Sequence, residues 1–283
     1  MKDMRENYEA DVWERNTEGS NRADSYLRAL SYLGPILAKR STPFATCSNL
    51  FAVSDKKIIQ ALYVYVTEQQ RLGKDGIFKD AANPSYWRSR FYSAALKDYL
   101  GFISRFSYEE KLWSIYETQD SPPEAIAKEL DSVEIEDGDV LTETDDQLPS
   151  GEEVLREVKT RLNQRFFRAM IMREYSARCC LTGLTVPEVL RASHIIPWAE
   201  DEHNRMNPAN GLCLSATYDA AFDRHLISFD ENYCFILSKS LKDYYTNQAF
   251  KLLFRAYEGV TMALPKRFKP AQKFLETHRN AMA

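Results

Sequence analysis

Arg191-Ala-Ser-His-Ile-Ile-Pro-Trp198 and Asn210-Gly-Leu-Cys-Leu-Ser-Ala-Thr-Tyr-Asp219-Ala-Ala-Phe-Asp223 decide the fold of the C-terminal half of this chain. Val189–Ile196 is β-branched and apolar enough to predict a strand, whose regularity Pro197 ends. Asn210-Gly211 is a turn dipeptide ahead of a short second strand, Leu212-Cys-Leu214. Ser215 or Thr217 then suits the start of a helix reaching Arg224. Beyond it, Leu226-Ile-Ser-Phe229 and Tyr233-Cys-Phe-Ile-Leu237, separated by Asp-Glu-Asn, predict a hairpin. Strand, strand, helix and hairpin in that order make a compact α+β unit.

The polar residues of this stretch suit a metal-assisted attack on a phosphodiester. Such a reaction needs a base for water and positive charge near the pentavalent phosphorus and the leaving oxygen. His194, at a strand end, is of a residue type that accepts a proton near neutral pH. Asp219 and Asp223 stand four apart on the expected helix, hence on one face, amid Tyr218, Ala220, Ala221 and Phe222. Two like charges on so apolar a helix call for a cation, and carboxylate oxygens suit Mg²⁺ or Mn²⁺. Asn210 is placed to fix the histidine ring through its amide.

Three motifs together resemble the HNH endonucleases: Leu190-Arg-Ala-Ser-His-Ile-Ile-Pro-Trp198, Asn207-Pro-Ala-Asn-Gly-Leu-Cys-Leu214 and Asp219-Ala-Ala-Phe-Asp-Arg-His-Leu-Ile-Ser-Phe229. More narrowly they resemble a bacterial branch written RASHI-PW, NGL-L and D-FD-G-ISF, and the resemblance runs from about Arg156 to Arg279. It implies a ββα-metal unit with His194 as general base, Asn210 as its orienting partner, and Asp219 and Asp223 as metal ligands. The chain departs from the broader family in having Ser193, a weak metal ligand, at the position before the base where the family often has an Asp, His or Glu ligand, and Asp219 in place of a final histidine. It also lacks paired Cys-x-x-Cys knuckles. Cys180-Leu-Thr-Gly183 retains half of one, and Cys213 is out of phase for another, so no structural zinc is expected. His225 is out of helical phase for a ligand, His203 lies in a polar loop, and His278 reads as structural.

Outward from this unit, a helix from Glu152 carries Val158, Leu162, Phe166, Met170 and Ile171 on its apolar side. Arg161, Arg165 and Arg168 on the same helix, with Arg191 at the strand, are candidate phosphate contacts. The preceding stretch from Glu117 to Glu153 holds fourteen acidic residues and one Lys, which predicts an acidic linker. Outside it, 36 basic and 27 acidic residues leave +9, a balance suited to a polyanion. Ahead of the linker, Ser25–Gly34, Ser54–Gly73 and Ser85–Gly101 show helical spacing, with Gly34 suited to end the first helix and Ser54 to cap the second. The aromatic and basic Tyr86-Trp-Arg-Ser-Arg-Phe-Tyr92 there is a candidate contact surface.

The expected organisation is thus α+β: a helical N-terminal domain (1–116) for recognition or dimerisation, an acidic linker (117–151) and an HNH nuclease domain (152–283). Five cysteines and no signal-like or membrane-spanning apolar run predict a cytoplasmic protein with reduced thiols. The expected activity is divalent-metal-dependent cleavage of DNA, of a restriction or anti-phage type, with a homodimer as an option for the chain. RNA cleavage, or DNA binding by a sensor with a degenerate site, are the alternatives. No small-molecule cofactor is indicated.

Overall fold

A computed structural model describes residues 3–16, 20–40, 42–79, 81–118, 121–135 and 151–282. The chain divides into two compact units, residues 1–108 with 135–157, and residues 109–134 with 158–283. The helices in chain order are α1 (Met4–Arg15), α2 (Arg22–Lys39), α3 (Lys56–Leu72), α4 (Pro84–Arg88), α5 (Phe91–Thr118), α6 (Pro123–Asp131), α7 (Gly151–Glu174), α8 (Ala216–Phe222), α9 (Gln248–Leu253) and α10 (Gln272–Asn280). The strands are β1 (Leu190–His194), β2 (Gly211–Ser215), β3 (Ile227–Phe229) and β4 (Phe235–Leu237). Helices fill the first unit, and the described strands lie in the second, as an α+β chain requires. None of the described helices is long and apolar enough to cross a membrane.

The first unit is held by an apolar core from α1, α2, α3 and α5, including Tyr8, Leu30, Leu33, Leu62, Tyr92 and Tyr99. At its side Arg15 pairs with Asp11 at 2.8 Å and with Asp98 at 3.1 Å, and Arg105 also reaches Asp11 at 2.8 Å. Gly34, which its sequence context suggests as a helix end, sits inside α2 instead. A Cβ there would come within 2.2 Å of the Ser48 carbonyl oxygen, so close backbone approach is what requires glycine. The α3 cap is Asp55, whose carboxylate accepts from Lys57 N at 2.8 Å, one residue later than the expected serine. The run Ser85–Gly101 breaks into α4 and α5 at Arg90, which has φ of +58°. Tyr86 and Tyr92 from the candidate contact surface pack on each other and on Tyr32 and Phe78, so this segment supplies core rather than a face of stacked side chains for a partner.

Part of the acidic stretch expected to be a tether folds as α6, which starts on Pro123 and buries Ile126, Ala127 and Leu130. Residues 136–150 of that stretch lie outside the described residues.

In the second unit β1 and β2 pair antiparallel, with Ser193 opposite Leu212 and His194 opposite Gly211. Ile195 N donates to Asn210 O at 3.0 Å, extending the ladder by one rung. α8 begins on the residue after β2, giving a β-β-α unit. Leu162, Phe166, Phe167, Met170 and Ile171 of α7 repeat at helical spacing and are buried, as are Leu212 and Leu214 of β2. β3 and β4 form the expected hairpin in the register Ile227 opposite Leu237.

Candidate functional site

β1, the turn after it, α8 and the chain leaving α8 enclose a cleft of about 430 Å³, onto which Ser193, His194, Trp198, Asp219, Asp223 and His225 all open. β1 pairing with β2 puts His194 at the cleft edge, and α8 following β2 without a linker brings its first turn to the same place. The two expected halves of the site therefore meet through one hairpin.

The His194 ring is held on three sides. It stacks on Phe167 of α7 at 3.7 Å between centroids and 14° between planes, and meets Trp198 edge-on at 5.4 Å. Its Nε2 lies 3.0 Å from the Arg205 carbonyl oxygen. A carbonyl only accepts, so Nε2 carries the ring proton and Nδ1 keeps its lone pair. Burial lowers the pKa to about 4, opposed by the hydrogen bond to Arg205, so the ring is neutral at physiological pH.

Asp219 lies in the first turn of α8 and Asp223 caps its end, its backbone N donating to Asp219 O at 2.9 Å. The buried Ser193 hydroxyl donates to Asp219 Oδ1 at 2.5 Å. Desolvation, and then the Asp219 charge, hold the Asp223 carboxyl above its usual range, with Arg224 and His225 opposing weakly. Among the described residues no Lys or Arg forms an ion pair with either aspartate. The donors gather as two carboxylates and a hydroxyl. No cluster of three or more His, Cys, Asp or Glu side chains able to hold a metal occurs among the described residues. Two unneutralised carboxylates one turn apart are an all-oxygen set, which fits a hard dication that completes its shell with water.

Asn210 is placed differently from the expectation. Its amide does not touch the His194 ring. Oδ1 accepts from Ile196 N at 2.9 Å, and Nδ2 donates to the carbonyls of Ile196 at 3.2 Å and Asn204 at 3.1 Å. The physical reason is the long β1–β2 connection: its backbone groups have no ladder partner, and the buried amide satisfies three of them. Asn204 precedes Arg205, so the Asn210 amide ties down the loop whose Arg205 carbonyl meets the His194 ring. Asn210→Ala is expected to lower stability by about 3 kcal/mol, at roughly 1 kcal/mol per lost bond. Hydrogen exchange should then rise in residues 195–210, and unchanged exchange there would exclude this role.

Two of the four candidate phosphate contacts, Arg168 and Arg191, bond backbone carbonyls. Arg168 donates to the carbonyls of Leu190 at 2.9 Å and Pro187 at 3.3 Å. Arg191 donates to those of Glu188 and Leu190 at 3.0 Å. Both guanidinium groups satisfy carbonyls at the Pro187–Val189 turn entering β1, a demand that sequence spacing does not reveal. Arg165 lies 3.5 Å from Glu109, and Arg161 is exposed on α7.

Two histidines deserve comparison. His203 is exposed. His278 of α10 is buried; its Nε2 donates to Phe222 O at 3.0 Å, its Nδ1 accepts from Ser228 at 3.0 Å, and it stacks on Phe222 at 3.7 Å. It thereby braces the last turn of α8. Burial lowers its pKa to about 4, with the Phe222 hydrogen bond opposing. A depressed histidine pKa means that the unfolded chain binds a proton the folded one refuses, so its stability contribution is present above pH ~6.5 and falls away down to pH 4. Replacing His278 by Gln should flatten about 2–3 kcal/mol of that acid loss in urea titrations at pH 7 and pH 4. An unchanged pH slope would assign the loss elsewhere.

Ahead of β1, Cys179 anchors a tight turn. Its N donates to Leu184 O, Gly183 N donates to its O, both at 2.9 Å, and its Sγ accepts from Ser215 N at 3.4 Å. This ties the half-knuckle to the start of α8. The contacts that sequence reading missed are the Phe167 stack, the Arg205 carbonyl and the presence of His225 in the cleft. Only His225, polar and next to Asp223, left a signal in the sequence.

No curated protein matches the chain. Residues 179–230, the Cys179 turn, the β1–β2 hairpin, α8 and β3 together, match the family model described as HNH endonuclease, so this segment of the C-terminal half is similar to the HNH endonucleases.

Proposed function

We propose that the protein is a divalent-metal-dependent DNA endonuclease in which His194 is the general base and Asp219 and Asp223 hold one Mg²⁺ or Mn²⁺. The observation that carries this reading is a neutral histidine and a pair of unneutralised carboxylates opening on one cleft. In the reaction Nδ1 of His194 takes a proton from water, the resulting hydroxide attacks phosphorus, and the bond to the leaving oxygen breaks. The imidazolium so formed is stabilised by the Arg205 carbonyl at Nε2. Ser193 holds Asp219 in one orientation by its hydroxyl. The bound dication would supply positive charge to the phosphate and leaving oxygens. DNA as substrate, and a role in restriction or in defence against phage, follow the resemblance to HNH nucleases.

Supercoiled plasmid and a structured RNA, each incubated with Mg²⁺, Mn²⁺ or EDTA, test this reading. Nicked or linear plasmid in the metal lanes alone is the expected result. Cleavage of RNA only would reassign the substrate, and no product from either polymer with any metal would sink the proposal.

A further inference from the structure

His225 is a second histidine in the cleft, and none of the roles above uses it. It follows Arg224 at the end of α8 with φ of +53°, a left-handed conformation that glycine adopts freely and that strains a side-chain-bearing residue. It lines the cleft together with Asp219 and Asp223. Behind it, the His278 ring lies 4.5 Å away, itself fixed by Ser228 and Phe222, so the His225 ring rests on a rigid floor.

The two ring nitrogens differ. Nδ1 is buried and has no hydrogen-bond partner among the described residues, whereas Nε2 has neither a partner nor full burial. A proton on Nδ1 would be a buried, unsatisfied N–H, so the neutral ring carries its proton on Nε2. That argues against metal ligation. Coordination through Nε2 would move the proton to Nδ1, where nothing accepts it, and Nδ1 itself is closed off by burial. What the ring offers the cleft is one N–H donor.

We propose that His225 is a phosphate-contacting residue, its Nε2–H donating to a non-bridging oxygen of the phosphodiester held beside Asp219 and Asp223. The inference rests on the nuclease reading. A phosphodiester oxygen is an acceptor only and carries negative charge, which matches a fixed donor at this place.

Binding of a short DNA duplex is measured by fluorescence anisotropy in Mg²⁺ with the His194→Ala protein, so that bound substrate is not consumed. Adding His225→Gly is expected to weaken binding about tenfold, the effect of one hydrogen bond to a charged group. Adding His225→Asn, which tolerates left-handed φ and offers an amide donor, should restore most of it. Mg²⁺ affinity without DNA, read by calorimetry, should be the same in all three proteins. The glycine protein should unfold at the same or a higher temperature, since strain is relieved. Equal DNA affinity for the glycine protein would overturn the inference and leave the nuclease reading standing. A tenfold fall in Mg²⁺ affinity without DNA would make His225 a ligand and also overturn it. A parent protein that neither binds nor, with His194 restored, cuts DNA would overturn both.

Discussion

His194→Ala is expected to lower the rate of DNA cleavage by about 1,000-fold while the protein stays folded and binds Mg²⁺ as before. The size of the effect follows from the ring's setting. Phe167 and Trp198 restrict it, and the Arg205 carbonyl fixes the proton on Nε2, so Nδ1 of this cleft-lining residue keeps the lone pair. No other described side chain on the cleft offers an unprotonated nitrogen in that role: His278 has both nitrogens engaged, and the unprotonated Nδ1 of His225 is buried. Gel assays of plasmid nicking under single-turnover conditions give the rate, and circular dichroism reports the fold. A variant that cuts within tenfold of the parent would remove His194 from the role of base.

Asp219→Ala and Asp223→Ala are each expected to weaken Mg²⁺ binding by on the order of 100-fold or more, yet to move metal-free stability in opposite directions. Without metal the two carboxylates repel across one helical turn, at roughly 0.2–0.5 kcal/mol, and Asp223 stands at the negative end of α8. The Asp223 side chain is exposed and its carboxylate makes no hydrogen bond among the described residues, so its removal leaves only relief, and the metal-free protein should melt slightly higher. Asp219 accepts the hydrogen bond of the buried Ser193 hydroxyl. Its removal leaves that donor unsatisfied at about 1–3 kcal/mol, which outweighs the relief, and the metal-free protein should melt lower. Saturating Mg²⁺ should raise the melting temperature of the parent and of neither variant. Calorimetry in EDTA and in Mg²⁺ measures both effects. Equal metal stabilisation of parent and variants would move the cation site away from α8.

Much of the C-terminal unit was legible because its signals are local. The β1 and β2 segments, the turn at Asn210-Gly211, the four-residue spacing of Asp219 and Asp223 and the β3–β4 hairpin each depend on residues close in sequence. The N-terminal helices were legible for the same reason, although Gly34 misled: its purpose is an approach of the Ser48 backbone, a contact between distant parts of the chain. The acidic stretch misled in part because composition averages over α6, whose buried Ile126 and Leu130 are a minority among its charges.

By itself the sequence determined the β-β-α order and the residue types of the candidate site, because strand and helix periodicity and turn chemistry act over a few residues. Only the tertiary structure decided how those residues are used. Asn210 satisfies the backbone of a loop rather than the imidazole, Arg168 and Arg191 serve stranded carbonyls, and a carbonyl at Arg205 and a ring at Phe167 set the tautomer and pose of His194. The reason is physical: a buried hydrogen-bonding group takes the partner that folding brings near, and backbone partners leave no trace in the identity of the residues that carry them.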